Sequence, residues 1–399
     1  GGATIGVSGG YDVKEFFMEA SIPLVEGAAW AEELIVDAGY RYSDYSTDQQ
    51  TDTYGIRSGW AINNGVKIRA SYQRAVRAAN VRELFAPQGF NLFDMAADPC
   101  AGGSPLRSAA DCARSGVTPG QYGSVPDSPA GQYNYLQGGN PDLAPEESDT
   151  YSMGIVWTPE FVEGLSLTLD YYDIEIEKGI NNLTPEFILN ECLDGNEAQC
   201  GSVDRGRAGD LWIGSDVNVS GHIVALQDNL AIERVKGYDF IADYGLDMGK
   251  WGSLNFHNIM AVVDTWDKQE LESAEAEDCA GGWGSTCGYP QVDFQNNLRT
   301  TWTTPWNLTV SGLWRHIGEV KDLNGNGQDL DATDYFDLAG VWDVTDWATL
   351  RLGVNNVFDE EPPIAGGAAG NDIYAAGNIF PGAYDALGRY MYIGFGLGF

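Results

Sequence analysis

Apolar and polar residues alternate with a period of two along most of this chain. Between Gly65 and Arg77, Val66, Ile68, Ala70 and Tyr72 point one way, and Lys67, Arg69, Ser71 and Gln73 the other. Leu165, Leu167, Leu169 and Tyr171 likewise oppose Ser166, Thr168, Asp170 and Tyr172. Leu350, Leu352 and Val354 oppose Arg351, Gly353 and Asn355, and Phe16, Met18, Ala20 and Ile22 oppose Phe17, Glu19 and Ser21. This is the period of a strand with two unlike faces. It predicts thirteen strands, at 12–24, 30–45, 50–62, 65–77, 147–158, 164–178, 231–248, 251–267, 289–304, 306–319, 332–344, 347–359 and 387–399. Many run far past the about 5–6 residues of an ordinary strand. A tilted strand that crosses a bilayer needs about 9–11.

The connections alternate in size. Short turns fall at Val25–Ala29, Asn63–Asn64, Pro159–Glu163, Gly249–Lys250, Thr304–Pro305 and Val344–Asp346. Long loops fall near 78–146, 179–230, 268–288, 320–331 and 360–386, with a brief one near 46–49. Short turns on one rim and long loops on the other describe an outer-membrane β-barrel. A water-soluble β-sandwich also alternates. Against it stand the strand lengths and the charges on the polar faces, such as Glu33, Asp37 and Arg41. Trp157, Trp251, Trp306, Trp342 and Trp347 also recur beside the short turns, as an aromatic girdle at a membrane interface does. The expected fold is all-β, a transmembrane antiparallel barrel.

Composition narrows the function. The 58 acidic and 22 basic side chains give a net charge of −36, a field that repels phosphate and excludes nucleic-acid binding by charge neutralisation. Aromatics at 12% argue against a disordered acidic tail. No apolar run reaches the roughly 18 residues of a transmembrane helix. No signal peptide is recognisable, and Gly1 falls in mid-loop, so the chain reads as mature, processed or a piece of something longer.

The cysteines form three close pairs, Cys100 with Cys112, Cys192 with Cys200 and Cys279 with Cys287, all in the long loops. Local disulfides are expected, because small loops close most easily, and they imply an oxidising compartment. Zinc is the rival, but its sites combine tightly spaced pairs or histidines, and the chain has 3 His.

Thirteen strands raise a problem, because bacterial barrels have an even number. Either one strand is miscounted, or the chain is the C-terminal part of a larger barrel. Four segments bear on this. IRASYQRAVRAANVRELFAP (Ile68 to Pro87), GNPDLAPEESDTYSMGIVW (Gly139 to Trp157), NNVFDEEPP (Asn355 to Pro363) and RYMYIGFGLGF (Arg389 to Phe399) resemble, in order, signature stretches of the TonB-dependent outer-membrane receptors. Ala79 stands where that family often has Pro. The resemblance implies a barrel of about 22 strands with an N-terminal plug inside it and a short box that grips TonB. Neither plug nor box is recognisable here, so these strands would be the last thirteen, with about nine elsewhere. LDYYDIEIEKGI, followed by Cys192, Cys200 and Arg205, resembles a subgroup whose members take up siderophores, carbohydrates or other scarce nutrients.

The resemblance thus implies active uptake across the outer membrane of a Gram-negative bacterium. Its implied partners are TonB, the plug, outer-membrane lipid and lipopolysaccharide, and the barrel assembly machinery. A passive porin and a calcium-stabilised surface or adhesive protein are the alternatives. No catalytic constellation is visible: His222, His257 and His316 are scattered, and no cofactor is required. DLNGNGQDLD resembles the opening of a calcium loop, with Asp322, Asn324, Asn326, Asp329 and Asp331 as candidate ligands and Gly327 at the sharp turn. Thr333 stands where such a loop has Glu, and an acidic surface turn is the plainer reading.

Arg69, Arg74, Arg77 and Arg82 are candidates to face a ligand, lipopolysaccharide or the plug, or to pair with acids on neighbouring strands. The aromatics Tyr122, Tyr133, Tyr135, Trp212, Trp283 and Tyr374 either stack on a ligand or pack the loops together. Between Phe93 and Thr150 lie eight acidic and two basic side chains, which suits a neutral glycan, a metal complex or a cation better than a polyanion. In the last strand, Phe395, Leu397 and Phe399 form an outward row ending in an aromatic, which resembles a barrel-assembly signal.

Overall fold

The computed structural model describes residues 6–271, 274–325, 327–365 and 378–398. Thirteen long strands pair in chain order, each antiparallel to the next. They are β1 (Val13–Ala28), β2 (Ala31–Tyr45), β3 (Gln50–Asn63), β4 (Val66–Arg77), β5 (Glu146–Trp157), β6 (Leu165–Asn181) and β7 (Asp228–Asp247). Then follow β8 (Ser253–Gln269), β9 (Phe294–Thr303), β10 (Leu308–Ile317), β11 (Thr333–Thr345), β12 (Ala348–Asn355) and β13 (Tyr390–Leu397). All thirteen predicted strands are present. β1 and β13 are the free edges of this open sheet and, among the described residues, do not pair with each other.

Register carries one apolar row across the sheet. Ile56 opposes Tyr72 and Trp60 opposes Ile68 on β3 and β4; Ile68 then opposes Ile155, and Ile155 opposes Leu169. Leu169 opposes Phe240 and Phe240 opposes Met260, but Met260 faces Asn296, so beyond β8 the apolar row lies nearer the short turns: Leu254 opposes Trp302, Trp302 opposes Val310, and the row ends where Leu352 meets Ile393 and Leu350 meets Phe395. These side chains have no protein above them: Met153 is 60% exposed and Phe395 75%. So contiguous an apolar surface requires a non-aqueous neighbour. Trp157, Trp251, Trp306, Trp342 and Trp347 are all exposed along its short-turn edge. Tyr54, Tyr72, Tyr151, Tyr171 and Tyr238 form a second aromatic row at its loop edge.

The buried core lies in the loops, not in the wall. The largest buried cluster joins Tyr133, Leu189, Leu211 and Ile223 with both cysteines of the first disulfide and Cys192 of the second. Two separate loops build it. Gly89–Asp94 and Gln132–Gln137 from one pair with His222–Val224 and Val203–Asp204 from the other in a four-stranded sheet. Helices α2 (Ala109–Arg114), α3 (Pro185–Asp194) and α4 (Glu197–Cys200) belong to the same module; a short helix, α1 (Val81–Phe85), precedes it. A smaller module gathers Trp283, Val320, Leu330, Phe380 and Tyr384. The three expected disulfides are present, with Cα separations of 5.7, 4.6 and 5.5 Å.

Candidate functional site

The face opposite the apolar row is polar and lined by ion pairs. Arg57 Nε donates to Asp37 at 2.9 Å and Arg69 Nε to Asp170 at 2.8 Å. Arg315 reaches Asp337 at 2.9 Å and Asp385 at 3.0 Å, and His257 Nδ1 lies 2.6 Å from Asp243. Glycine makes room where these side chains lie flat: a Cβ on Gly154 would collide with Asp170 Oδ1 and stand 3.0 Å from Arg69 Nε. Over β1–β4 this face holds an open trough of about 750 Å³, lined by Glu19, Asp37, Arg41, Arg57 and Gln73. A charged wall facing away from lipid suits a water-filled or plugged lumen.

At the loop rim, the first two signature segments meet. Asn80 caps α1 by accepting from the amides of Arg82 and Glu83, and the Glu83 carboxylate accepts from the Asn80 amide. Arg77 bonds both Glu83 and Glu146. Glu83 O in turn accepts from the Asn140 amide at 2.8 Å, and Leu84 and Leu143 are buried together. Gly139 is needed for this close approach, since a Cβ would stand 2.6 Å from Ala86 N and 2.8 Å from Glu83 O. The strand-to-loop segment and the later GNPDLAP segment are therefore one packed joint.

The structure separates the four candidate arginines. Arg69 faces the lumen side and pairs with Asp170. Arg77 belongs to the joint. Arg74 shares the face of Tyr72, above the apolar row rather than in the lumen, and pairs with Asp149 and Glu147. Alternation places it there, because Tyr72 and Arg74 are two residues apart. Arg82 is exposed and makes no ion pair among the described residues.

The loop aromatics pack. Tyr133 and Trp283 are buried. Tyr122, Tyr135 and Trp212 lean on the larger module's core. Tyr135 Oη donates to Gln137 and accepts from Asn91, and Trp212 Nε1 donates to Pro126 O. Tyr374, Asn326 and Phe399 lie outside the described residues.

The calcium-like segment is a hydrogen-bonded turn. The Asp322 carboxylate accepts from the amides of Asn324 and Gln328, Asp329 accepts from the Asp322 amide, and Asn324 Oδ1 accepts from the Ser285 amide. Asp331 is exposed. Among the described residues, no group of three or more acidic, His or Cys side chains is placed to hold a metal.

Sequence reasoning noted Arg205 only within the subgroup resemblance and missed its place at the centre of the larger module. Arg205 is buried and bonds Asp98 at 2.6 Å, Ser115 Oγ at 2.9 Å and Gly209 O at 2.8 Å. Asp98 and Ser115 come from a loop about a hundred residues away, so no local pattern marks that role.

The family profile described as "TonB dependent receptor-like, beta-barrel" matches residues 2–357. The chain belongs to this family. Solved structures show the same fold. The ferric enterobactin receptor of Pseudomonas aeruginosa is similar over 97% of this chain and 45% of its own, at 16% identity and a TM-score of 0.63. The siderophore receptor PirA of Acinetobacter baumannii is similar over 97% and 46%, at 13% identity and 0.60. The FrpB iron transporter of Neisseria meningitidis is similar over 98% and 44%, at 11% identity and 0.54. The chain thus spans a little under half the length of these relatives. A search of curated proteins finds no match. For a TonB-dependent receptor barrel, the apolar face is the lipid face and the ion-paired face lines the lumen.

Proposed function

We propose that this chain forms part of the wall and most of one set of cell-surface loops of an active-uptake receptor in a Gram-negative outer membrane. The cargo is a scarce nutrient, of which a ferric siderophore is the leading class. The observation that carries the reading is the pairing of a broad apolar lipid face with a charged, glycine-relieved lumen face. The siderophore receptors among its structural relatives support the cargo class. In this reading the loops capture the ligand, a plug closes the lumen, and TonB pulls on the plug with inner-membrane energy. The lumen trough over β1–β4 suits a docked protein surface, since its cations are already paired and need no ligand to neutralise them.

The test is uptake of labelled ferric siderophore by cells with and without the complete receptor. Uptake is expected to need the receptor and to stop with an uncoupler or without TonB, while surface binding persists. Uptake that continues without TonB overturns the reading in favour of a passive channel.

A further inference from the structure

The outward face of β9, β10 and β11 departs from the rest of the wall. Gly154, Gly394 and Gly396 face the lumen, but Gly312 and Gly340 face outward, Gly312 in register with Leu338 and Gly340 with Leu352. Nothing inside the protein asks for them. A Cβ on Gly312 would meet no atom within 4 Å, and one on Gly340 only Thr309 O at 3.9 Å. Neither ladder beside β10 shifts register. Glycine weakens a strand interior, and where no bulge or crowding explains it, it marks close approach by another backbone. With Thr300 paired to Gly312, the two glycines leave a shallow depression in the lipid face.

A second observation lies above the depression. Asn296 is 7% exposed, yet among the described residues its amide makes no hydrogen bond. It opposes Met260 on one side and His316 on the other, so it faces outward. Beside it, His316 Nδ1 lies 2.9 Å from Asp334 Oδ1, which also accepts from Trp314 Nε1 at 2.7 Å. His316 Nε2 and Asp334 Oδ2 have no partner among the described residues. A buried amide without a bond is costly. Small residues and polar groups together are what join spanning segments in lipid.

We propose that this patch docks a second copy of the receptor, side by side in the membrane. Heights are counted up from Trp302, Leu308 and Trp342, near the turn ends of β9, β10 and β11. Thr300 and Gly340 stand two residues up, Leu298, Gly312 and Leu338 four, Asn296 six, and His316 and Asp334 eight. A two-fold axis through β10 sets β9 of one subunit against β11 of the other. Thr300 then fills the gap at the partner subunit's Gly340, and Gly312 meets its own counterpart. Leu298 packs on the partner subunit's Leu338. The Asn296 amide reaches up to the partner subunit's Asp334, whose free oxygen accepts from it. The patch is thus self-complementary, a donor on β9 matching an acceptor on β11. Lipid is the poorer occupant, because it leaves Asn296 unbonded and asks for no glycine: at the height of Gly312, β5 carries Met153. The patch lies inside the described sheet, away from its free edges, so it needs no strand outside this chain. It depends on the barrel fold and not on the cargo.

The experiment uses the complete receptor, checked for folding by heat-modifiable migration. Gly312→Cys, treated in outer membranes with a short bifunctional thiol reagent, should yield a homodimer. Met153→Cys, at the same height on β5, should not. In mild detergent, sedimentation should show the wild type associating with itself. Gly312→Trp and, separately, Asn296→Leu should each weaken that association about tenfold. Asn296→Leu keeps the lipid face apolar, so its insertion should be unchanged. A wild type that stays monomeric overturns the proposal. So do equal linking from Met153→Cys, linking to a different protein, and association unchanged in either variant. The readout is stoichiometry, so failure of the uptake reading leaves the result standing.

Discussion

The side chains of Asp98 and Arg205 are 1% and 2% exposed, and each is held by further hydrogen bonds. Breaking such a pair leaves a buried charge unmatched, at a cost of about 3–5 kcal/mol. Asp98→Ala should therefore open the larger module to protease, while Asp98→Leu with Arg205→Met should recover most of the protection. Equal cleavage of single and double variants would contradict this. Tyr133 makes a second residue-scale test. Burial, then the Asp127 carboxylate its hydroxyl bonds at 2.7 Å, push its phenol from 10.0 up to about 12. A raised folded pKa favours the protonated form. Its contribution to module stability is thus complete below the unfolded value and lost as pH rises through about 12. The tyrosinate absorbance missing from Tyr133→Phe should be that of a late-titrating group; a difference already complete near 10.0 would refute the assignment.

At the scale of elements, the wall was legible because one physical demand repeats along it: every second residue meets lipid. Ends shifted where a local device intervened. The strand expected from 289 begins at Phe294, because Gly288–Gln291 joins the small sheet with Trp283. The strand expected to 359 ends at Asn355, where Asn356 takes a φ of 51° and bonds Glu360. The loop sheet was not legible, because its parallel pair of Tyr135 with Ile223 joins segments that only the fold brings together. The faces differ in tolerance. Ile155→Arg on the lipid face should cost about 2–4 kcal/mol, whereas Thr150→Lys on the lumen face should stay within about 0.5 kcal/mol, measured by denaturant unfolding in lipid. The disulfides belong to the loops, and each short closure is worth about 2.5–3 kcal/mol in the chain-entropy account. Mild reduction should speed loop proteolysis and leave the heat-modifiable migration of the barrel unchanged.

For the whole molecule, the division between a lipid-held wall and self-cored loops means that assembly and capture depend on different residues. β13 shows this. Met391, Ile393, Phe395 and Leu397 are 64, 62, 75 and 59% exposed, and all face lipid. Gly394 and Gly396 face the lumen, opposite Arg351 and Thr349. The outward row touches neither surface module, so it makes no contact with the loops that would meet a ligand. Phe395→Asp places a charge in that row and should sharply lower the amount of heat-modifiable receptor in the outer membrane. The fraction that does insert should bind the transported ligand with unchanged affinity, because the lumen and loops are intact. Normal insertion with weakened binding would mean that β13 acts through the lumen, and would reverse the assignment of its two faces.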